Sequence, residues 1–288
     1  MTLVALVTAK VVDEDIDLEP LLRALGDADI RAASPCWDDP DVDWGSFDLA
    51  ILRSTWDYVD RYDEFVEWIT ATAKIVRLLN PADVLVWNMD KHYLQELRDD
   101  HGLGVIPTQF FEVDASPASV AGFDGDVVVK PVRGAGSCDA LRHSSHEDAS
   151  RHLEGLLAQG RAAMVQPYMA GIEAHGETGM VYFNGEFSHA FRKAAILTTP
   201  GASPVDGLYA PEEISVRTPS AEQRTLADRT VAACASDLLY ARIDLVPDDD
   251  GMPVISEVEL TEPSLFVRHA PGAAKRFAHA VAARLSTC

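Results

Sequence analysis

Short apolar runs separated by helical spacings organise the first eighty residues. Leu3–Ala9, Phe47–Arg53 and Lys74–Leu79 read as strands, with a weaker run at Ile30–Ala33. Between them, Leu18, Leu21, Leu22 and Leu25, and then Phe65, Trp68 and Ile69, follow the three- and four-residue spacing of amphipathic helices. Strands alternating with helices predict a parallel α/β layer. Ligands gather at the carboxyl ends of strands in such sheets. Here those ends carry Thr8-Ala9-Lys10 and Arg53-Ser54-Thr55-Trp56-Asp57-Tyr58.

The pattern changes after Asn80-Pro81. A helix is predicted over Asp90–Asp100, then an extended Ile106–Val113, a strand Val127–Lys130 with a Gly-rich turn, a helix Glu147–Leu157 and a strand Ala163–Gln166. Met180–Phe183 and Glu186–Lys193 flank Asn184-Gly185, a strong hairpin signal. Residues 198–213 carry Pro200, Gly201, Pro204, Gly207 and Pro211 with little periodicity, as a loop serving as an active-site lid would. A helix Ala221–Leu239, a hairpin of Ala241–Val246 with Pro253–Glu259, and a helix Ala273–Leu285 complete the chain. No repeat or low-complexity segment interrupts it.

Spacing singles out the acids of the last hairpin. Arg242 and Asp244 lie two apart on one strand and Glu257 and Glu259 two apart on the next, so each pair faces one way. Asp244, Glu257 and Glu259 converging on one face would repel unless a cation sat among them, and an all-oxygen set suits Mg²⁺ with nucleotide phosphates. The bland alternative is a solvent-facing acidic hairpin. Val127–Lys130 is an apolar strand ending in a cation, followed by Arg133-Gly134-Ala135-Gly136-Ser137. Small residues let backbone N–H groups cradle phosphates, although a plain hairpin turn has the same composition. Neither a P-loop nor a dinucleotide fingerprint is present. Lys91 and Lys193 read alone as surface cations.

Charge narrows the partners. The 288 residues carry 46 acids against 24 Lys and Arg, a net charge of −22, with a pI near 4.6. That surface repels nucleic acid and anionic membranes. Cys36, Cys138, Cys234 and Cys288 are scattered, without metal or disulfide spacing. The apolar start is too short for a membrane span and lacks a basic flank. A cytoplasmic protein is the expectation.

Order along the chain carries more than any single motif. Asp90-Lys91 comes first, then Lys130-Pro131 before the glycine loop, then Val165-Gln166-Pro167-Tyr168. Gly171-Ile172-Glu173, Lys193, Arg242-Ile243-Asp244 and Glu257-Val258-Glu259 follow. This series, from about Asn88 to Pro263, resembles that of the ATP-grasp superfamily, which includes D-alanine–D-alanine ligase and glutathione synthetase. The resemblance implies an α/β (α+β) fold in three parts. These are a Rossmann-like substrate domain over 1–88, a central lid subdomain over 89–172 and a C-terminal catalytic subdomain over 173–288. It implies ATP contacts from Lys91 and Lys130 on the α and β phosphates, with the Gly134–Ser137 loop, including Gly136, closing over them. Gln166, Pro167, Tyr168 and Met169 would form the adenine hinge, Glu173 would meet the ribose, and Lys193 would reach the γ phosphate. Asp244, Glu257 and Glu259 would hold two Mg²⁺ ions, and Arg242 would steady the transferring phosphoryl. Many relatives place Asn where Glu259 stands, and Ala174–Gly179 departs from the peptide ligases.

Leu52–Tyr58 and Ser256–Ser264, together with Ala5–Ala9 and Glu14–Asp17, are similar to a bacterial subfamily, the D-cycloserine synthetases, which are O-ureido-D-serine cyclo-ligases. That resemblance implies activation of an amino-acid-like carboxylate as an acyl phosphate and ring closure by an aminooxy nitrogen. It implies substrate contacts from Thr8, Arg53, Thr55, Tyr58 and Glu177. For Arg53 the alternative is a salt bridge to Asp57 or Asp60; for Glu177, a turn carboxylate. His175 reads as an exposed loop residue and Trp56 as packing. Two rival functions remain, an intermolecular amino-acid ligase and a nucleotide-binding scaffold without turnover. A homodimer, common in the superfamily, stays open.

Overall fold

A computed structural model describes residues 2–10, 15–115, 120, 122–203, 212–235 and 237–286. Glu14, Pro204, Gly207, Pro211 and Cys288 lie outside the described residues. The front layer contains β1 (Leu3–Thr8), α1 (Leu18–Asp27), β2 (Arg31–Ala33), β3 (Leu49–Ser54), α2 (Tyr62–Thr72) and β4 (Arg77–Leu79). Its four parallel strands run in the order β2-β1-β3-β4. Strands β1 and β3 are almost wholly buried, because helices cover both faces and leave no polar alternation.

The middle of the chain supplies α3 (Ala82–Asn88), α4 (Tyr93–Asp99), β5 (Gln109–Phe111), β6 (Val127–Pro131), β7 (Leu141–His143), α5 (His146–Ala158), β8 (Ala163–Pro167) and α6 (Gly171–His175). Strands β5-β8-β6-β7 form an antiparallel sheet. Helix α5 packs Leu153, Leu156 and Leu157 against Val127, Val129 and Val165 of that sheet. The last part holds β9 (Glu177–Phe183), β10 (Glu186–Lys193), β11 (Ile214–Val216), α7 (Ala221–Cys234), β12 (Tyr240–Pro247), β13 (Pro253–Glu259) and α8 (Ala273–Leu285). Its sheet is antiparallel in the order β11-β10-β9-β12-β13. Asn184 and Gly185 both take positive φ and join β9 to β10, pairing Phe183 with Glu186, as a two-residue hairpin requires. Helix α8 returns to the front layer, where Phe277 and Val281 share a core with Leu6, Leu21 and Leu25.

Several boundaries differ from the sequence expectation. The helix predicted over 90–100 is the shorter α4, and α3 before it was not predicted; Lys91 lies in the turn between them. Its backbone N–H donates to the Val132 carbonyl at 3.2 Å, just beyond β6, which draws it out of the helix. Helix α7 stops at Cys234 rather than Leu239, because Leu238 and Leu239 are buried and the Leu239 N–H is bound by the Asn80 side chain at 2.7 Å. The three-residue strands β7 and β11 and the single turn of α6 are too short for periodicity to reveal.

The irregular segment after β13, residues 260–267, crosses beneath the carboxyl ends of β1 and β3. A backbone without a ladder must find other partners, and here side chains supply them. Asn88 and Asn80 take the Leu260 N–H and carbonyl at 2.6 and 2.8 Å. The Tyr240 hydroxyl donates to the Thr261 carbonyl at 2.7 Å, Trp56 Nε1 to that of Glu262 at 3.1 Å, and Arg53 to that of Pro263 at 2.8 Å. Arg242 donates to the Ser264 carbonyl at 3.1 Å and His189 Nε2 to that of Leu265 at 2.7 Å. The buried Asp17 carboxylate accepts the N–H groups of Leu265, Phe266 and Val267. This strap forms one wall of the site.

Candidate active site

The three sheets enclose a cavity of about 430 Å³, a volume in the range of small-molecule sites. From β6 and the loop after it come Lys130, Gly134, Gly136 and Ser137, and from the strand end of β8 come Gln166, Pro167, Tyr168 and Met169. The sheet β11-β10-β9-β12-β13 contributes Glu177, Lys193, Arg242, Glu257 and Glu259; Lys91 and Tyr58 complete the cavity-lining set. Positive φ at Gly136 and Ser137 turns the glycine loop back over the opening.

Antiparallel register explains why the charged groups share a face. Glu177 pairs with Lys193, Asp244 with Gly179, Glu257 with Asp244, and Glu259 with Arg242. Each strand offers alternate residues to this face, so the charges form one patch. Lys193 Nζ lies 2.7 Å from Glu177 and 3.7 Å from both Asp244 and Glu212. Lys91 Nζ lies 3.0 Å from Glu257 and donates to the Gly134 carbonyl at 2.7 Å, joining the glycine loop to the hairpin. The Arg242 guanidinium grips Asp244 and also donates to Glu259. Its central carbon stands 5.8 Å from the Phe191 ring and 5.9 Å from that of Phe266. Phe191 comes this close because its cross-strand neighbour is Gly179, where a Cβ would fall 2.2 Å from the ring.

Burial and neighbouring charges set the protonation states. Burial alone would raise Glu257, but Lys91 and Lys130 outweigh it and hold the carboxyl at about 2. Burial pushes Glu259 up to about 8 against the pull of Arg242, with Asp244 and Glu257 adding repulsion. Burial likewise lifts Glu262 to about 7, against its hydrogen bond from Tyr58. Lys130 is displaced downward by burial, against the pull of Glu257. For Arg242 and Lys193 burial is overcome by the surrounding carboxylates, so both remain cations.

Other expectations do not reach the cavity wall. Thr8, Arg53 and Thr55 sit at the strand ends as expected, but all three are buried and none lines the cavity. Thr8 donates to the Pro35 carbonyl at 3.4 Å. Arg53 donates to the Pro263 carbonyl rather than pairing with Asp57 or Asp60, and its Nε and Nη1 have no hydrogen-bond partner among the described residues. Asp57 is instead 3.5 Å from Arg61. Glu173 is not in the cavity wall but bonds Arg142 and the cavity-lining Tyr168, at 2.7 and 3.1 Å. Asp244, Glu257 and Glu259 share one face of the sheet, as the spacing predicts, but each already faces a cation of the protein. Among the described residues no three acidic, His or Cys side chains are gathered for a metal, since Arg242 occupies Asp244 and Lys91 occupies Glu257. Glu257 and Glu259 still present adjacent oxygen donors to the cavity, which fits Mg²⁺ shared with phosphates and water.

The structure adds residues that the sequence did not single out. Ser256 donates to Glu177 and to the Asp244 carbonyl. Glu212 approaches Lys193, and Trp56 lines the cavity rather than only packing. Glu262 lines it too, with Tyr58; its one sequence signal was its place between Glu259 and Pro263. Glu177 is a buried ion-pair partner rather than a turn carboxylate, and His175 is exposed at the end of α6.

Comparison with known proteins agrees with this architecture over the whole chain. Residues 4–80 match the family "D-cycloserine synthetase DcsG, N-terminal domain". The chain is 36% identical over 301 residues to the cycloserine biosynthesis protein DcsG of Streptomyces lavendulae, covering 99% of each. The crystal structure of D-cycloserine synthetase DcsG superposes with a TM-score of 0.89 at 34% identity, over 98% of this chain and 99% of that one. D-alanine–D-alanine ligase from Bacillus anthracis complexed with ATP shares the fold, with a TM-score of 0.68 at 14% identity over 100% and 98%. No helix among the described residues is long and apolar enough to cross a membrane. The chain belongs to the D-cycloserine synthetase DcsG family and is an ATP-grasp ligase.

Proposed function

We propose that this ligase converts O-ureido-D-serine into D-cycloserine with ATP. The observation that carries the proposal is the 36% identity to a cycloserine biosynthesis protein over 99% of both chains. The substrate carboxylate takes the γ-phosphoryl group and becomes an acyl phosphate. Water removes the ureido group as CO₂ and ammonia, and the freed aminooxy nitrogen displaces phosphate as the five-membered ring closes. Attack within one molecule needs mainly folding of the substrate and charge stabilisation.

Residue roles follow from placement. The parallel front layer, residues 1–88, presents Tyr58 and Trp56 to the substrate, residues 89–172 cover the nucleotide, and residues 173–288 carry the transfer. Lys130 is the natural partner of nucleotide phosphate, because it is the cavity-lining cation without an ion-pair partner among the described residues. Lys91 sits opposite it, with Gly134, Gly136 and Ser137 between, and Gln166–Met169 receives adenine. Lys193 and Arg242 would neutralise the transferring phosphoryl. Mg²⁺, bound by Glu257 and Glu259 with Asp244 behind them, would neutralise charge on the β and γ phosphates. Two ions would suit a site with this many acids. Glu173, held outside by Arg142, is not assigned the ribose.

The test is ADP release with Mg²⁺, ATP and O-ureido-D-serine, with the organic product read by mass spectrometry. D-cycloserine is the expected product. ADP formation only when a second amine is added would replace this reading with an intermolecular ligase.

A further inference from the structure

We infer that Glu262 binds the substrate's α-ammonium group and so sets the enzyme's demand for an amino acid; the inference rests on the proposed reaction. Five acids line the cavity: Glu177, Glu212, Glu257, Glu259 and Glu262. Four already face a cation of the protein: Lys193 serves Glu177 and Glu212, Lys91 serves Glu257, and Arg242 serves Glu259. Among the described residues Glu262 forms no salt bridge, although Lys91 and Arg242 attract it from beyond contact distance, and Tyr58 lines the cavity with it. A carboxylate placed in a cavity wall without a contacting counter-charge is matched by a cationic ligand.

Its surroundings select the kind of cation. Trp56 and Tyr58 line the cavity beside it, and aromatic rings next to a carboxylate favour an organic ammonium. The backbone of residue 262 is fixed on both sides, by Trp56 at its own carbonyl, by Tyr240 at that of Thr261 and by Arg53 at that of Pro263. The carboxylate is therefore pre-organised, which a selective contact requires. Arg242 holds the carbonyl of Ser264 at 3.1 Å, two residues further on, while its guanidinium also holds Glu259. Arg242 and Glu262 thus line the same cavity beside one short stretch of chain. An α-amino acid, whose ammonium and reacting carboxylate sit on one carbon, would place its carboxylate at Arg242 and its ammonium at Glu262.

The test compares two ligands on the full chain with Mg²⁺ and a non-hydrolysable ATP analogue. Binding of O-ureido-D-serine and of its des-amino analogue, 3-(ureidooxy)propanoate, is followed by tryptophan fluorescence in wild type, Glu262→Gln and Glu262→Asp. Loss of one partner of a desolvated charge pair predicts that Glu262→Gln weakens the amino-acid ligand at least about thirtyfold more than the analogue. Glu262→Asp should recover part of that difference. In turnover the same loss should appear chiefly in KM. Equal weakening of both ligands would overturn the inference, and would mean that Glu262 serves the ureido group or the wall itself. A changed Mg²⁺ requirement with both ligands would overturn it in favour of a metal ligand. If the wild type binds neither ligand, the proposed reaction fails first, an outcome distinct from a missing difference between them.

Discussion

Replacing Asp17 by Ala should loosen the active-site wall from a position outside the cavity. Asp17 stands where α1 begins, yet its carboxylate does not cap that helix. It instead accepts Leu265 and Phe266 N–H at 2.6 and 2.9 Å on one oxygen and Val267 N–H at 2.8 Å on the other. Hydrogen bonds to a charged acceptor contribute about 1.5–3 kcal/mol each, and an orphaned buried donor costs about 1–3 kcal/mol. Because the strap can relax toward water, the low end for three donors is appropriate, giving about 3–5 kcal/mol for Asp17→Ala. Asp17→Asn keeps the shape and one acceptor oxygen but sets an NH₂ against the Val267 N–H, so about 2 kcal/mol is expected. At roughly 2–4 °C per kcal/mol for a chain approaching this size, Asp17→Ala should lower Tm by about 10 °C. Hydrogen exchange gives the local reading: protection at 265–267 should fall in both variants, and further in Ala. Melting within about 2 °C of wild type together with unchanged protection at those amides would refute the account of the strap.

Three further outcomes can be checked on purified variants. Lys130→Ala and Glu257→Gln should each lower kcat/KM for ADP release by at least about a hundredfold, as loss of an electrostatic catalytic contact does, with far-ultraviolet circular dichroism unchanged; near-normal rates in both would remove them from the site. Burial holds His189 at about 4, so between pH 6.5 and 4 the unfolded chain takes up a proton that the folded chain refuses. Stability should therefore fall with pH through that window by up to about 3 kcal/mol. Urea titrations of wild type and His189→Gln at pH 7 and 5 should show the smaller pH slope in the variant. Gly179→Ala would drive a methyl into the Phe191 ring, and overpacking of about 1–3 kcal/mol should appear as a lower urea midpoint, with a rise in KM as Arg242 shifts.

Periodic features were legible in the sequence, and contact-dependent features were not. The buried runs at Leu3–Ala9 and Phe47–Arg53 announce a parallel layer because both faces are covered. The Asn184-Gly185 turn fixes the register that brings Lys193 opposite Glu177, and two-residue spacing placed Arg242, Asp244, Glu257 and Glu259 on one face. What spacing could not show was which charges would already be satisfied. Spacing puts Asp244 among the acids but not that Arg242 grips it, and puts Arg53 at a strand end but not that it donates to the Pro263 carbonyl of the strap. The strap has no hydrophobic period, since it is defined by side chains far away in sequence: Asn88 lies 172 residues from Leu260 and Asp17 lies 250 from Val267. Glu262 stands out only once every neighbouring acid has been matched with its cation.

The strap also bears on how the molecule comes into being on the ribosome. Its holders, among them Asp17, Arg53, Trp56, Asn80 and Asn88, are synthesised long before residue 260, and the glycine loop and the hinge of β8 also emerge earlier. Until the strap arrives, those polar side chains have no backbone to bind and the cavity lacks a wall. A nascent chain can thus have the glycine loop and the end of β8 in place while having no enclosed chamber. A chain halted at residue 255 should stay open to protease near Arg53 and Asn80 where the longer chain is resistant. Emergence of residues 260–267 thus sets when the chamber can close.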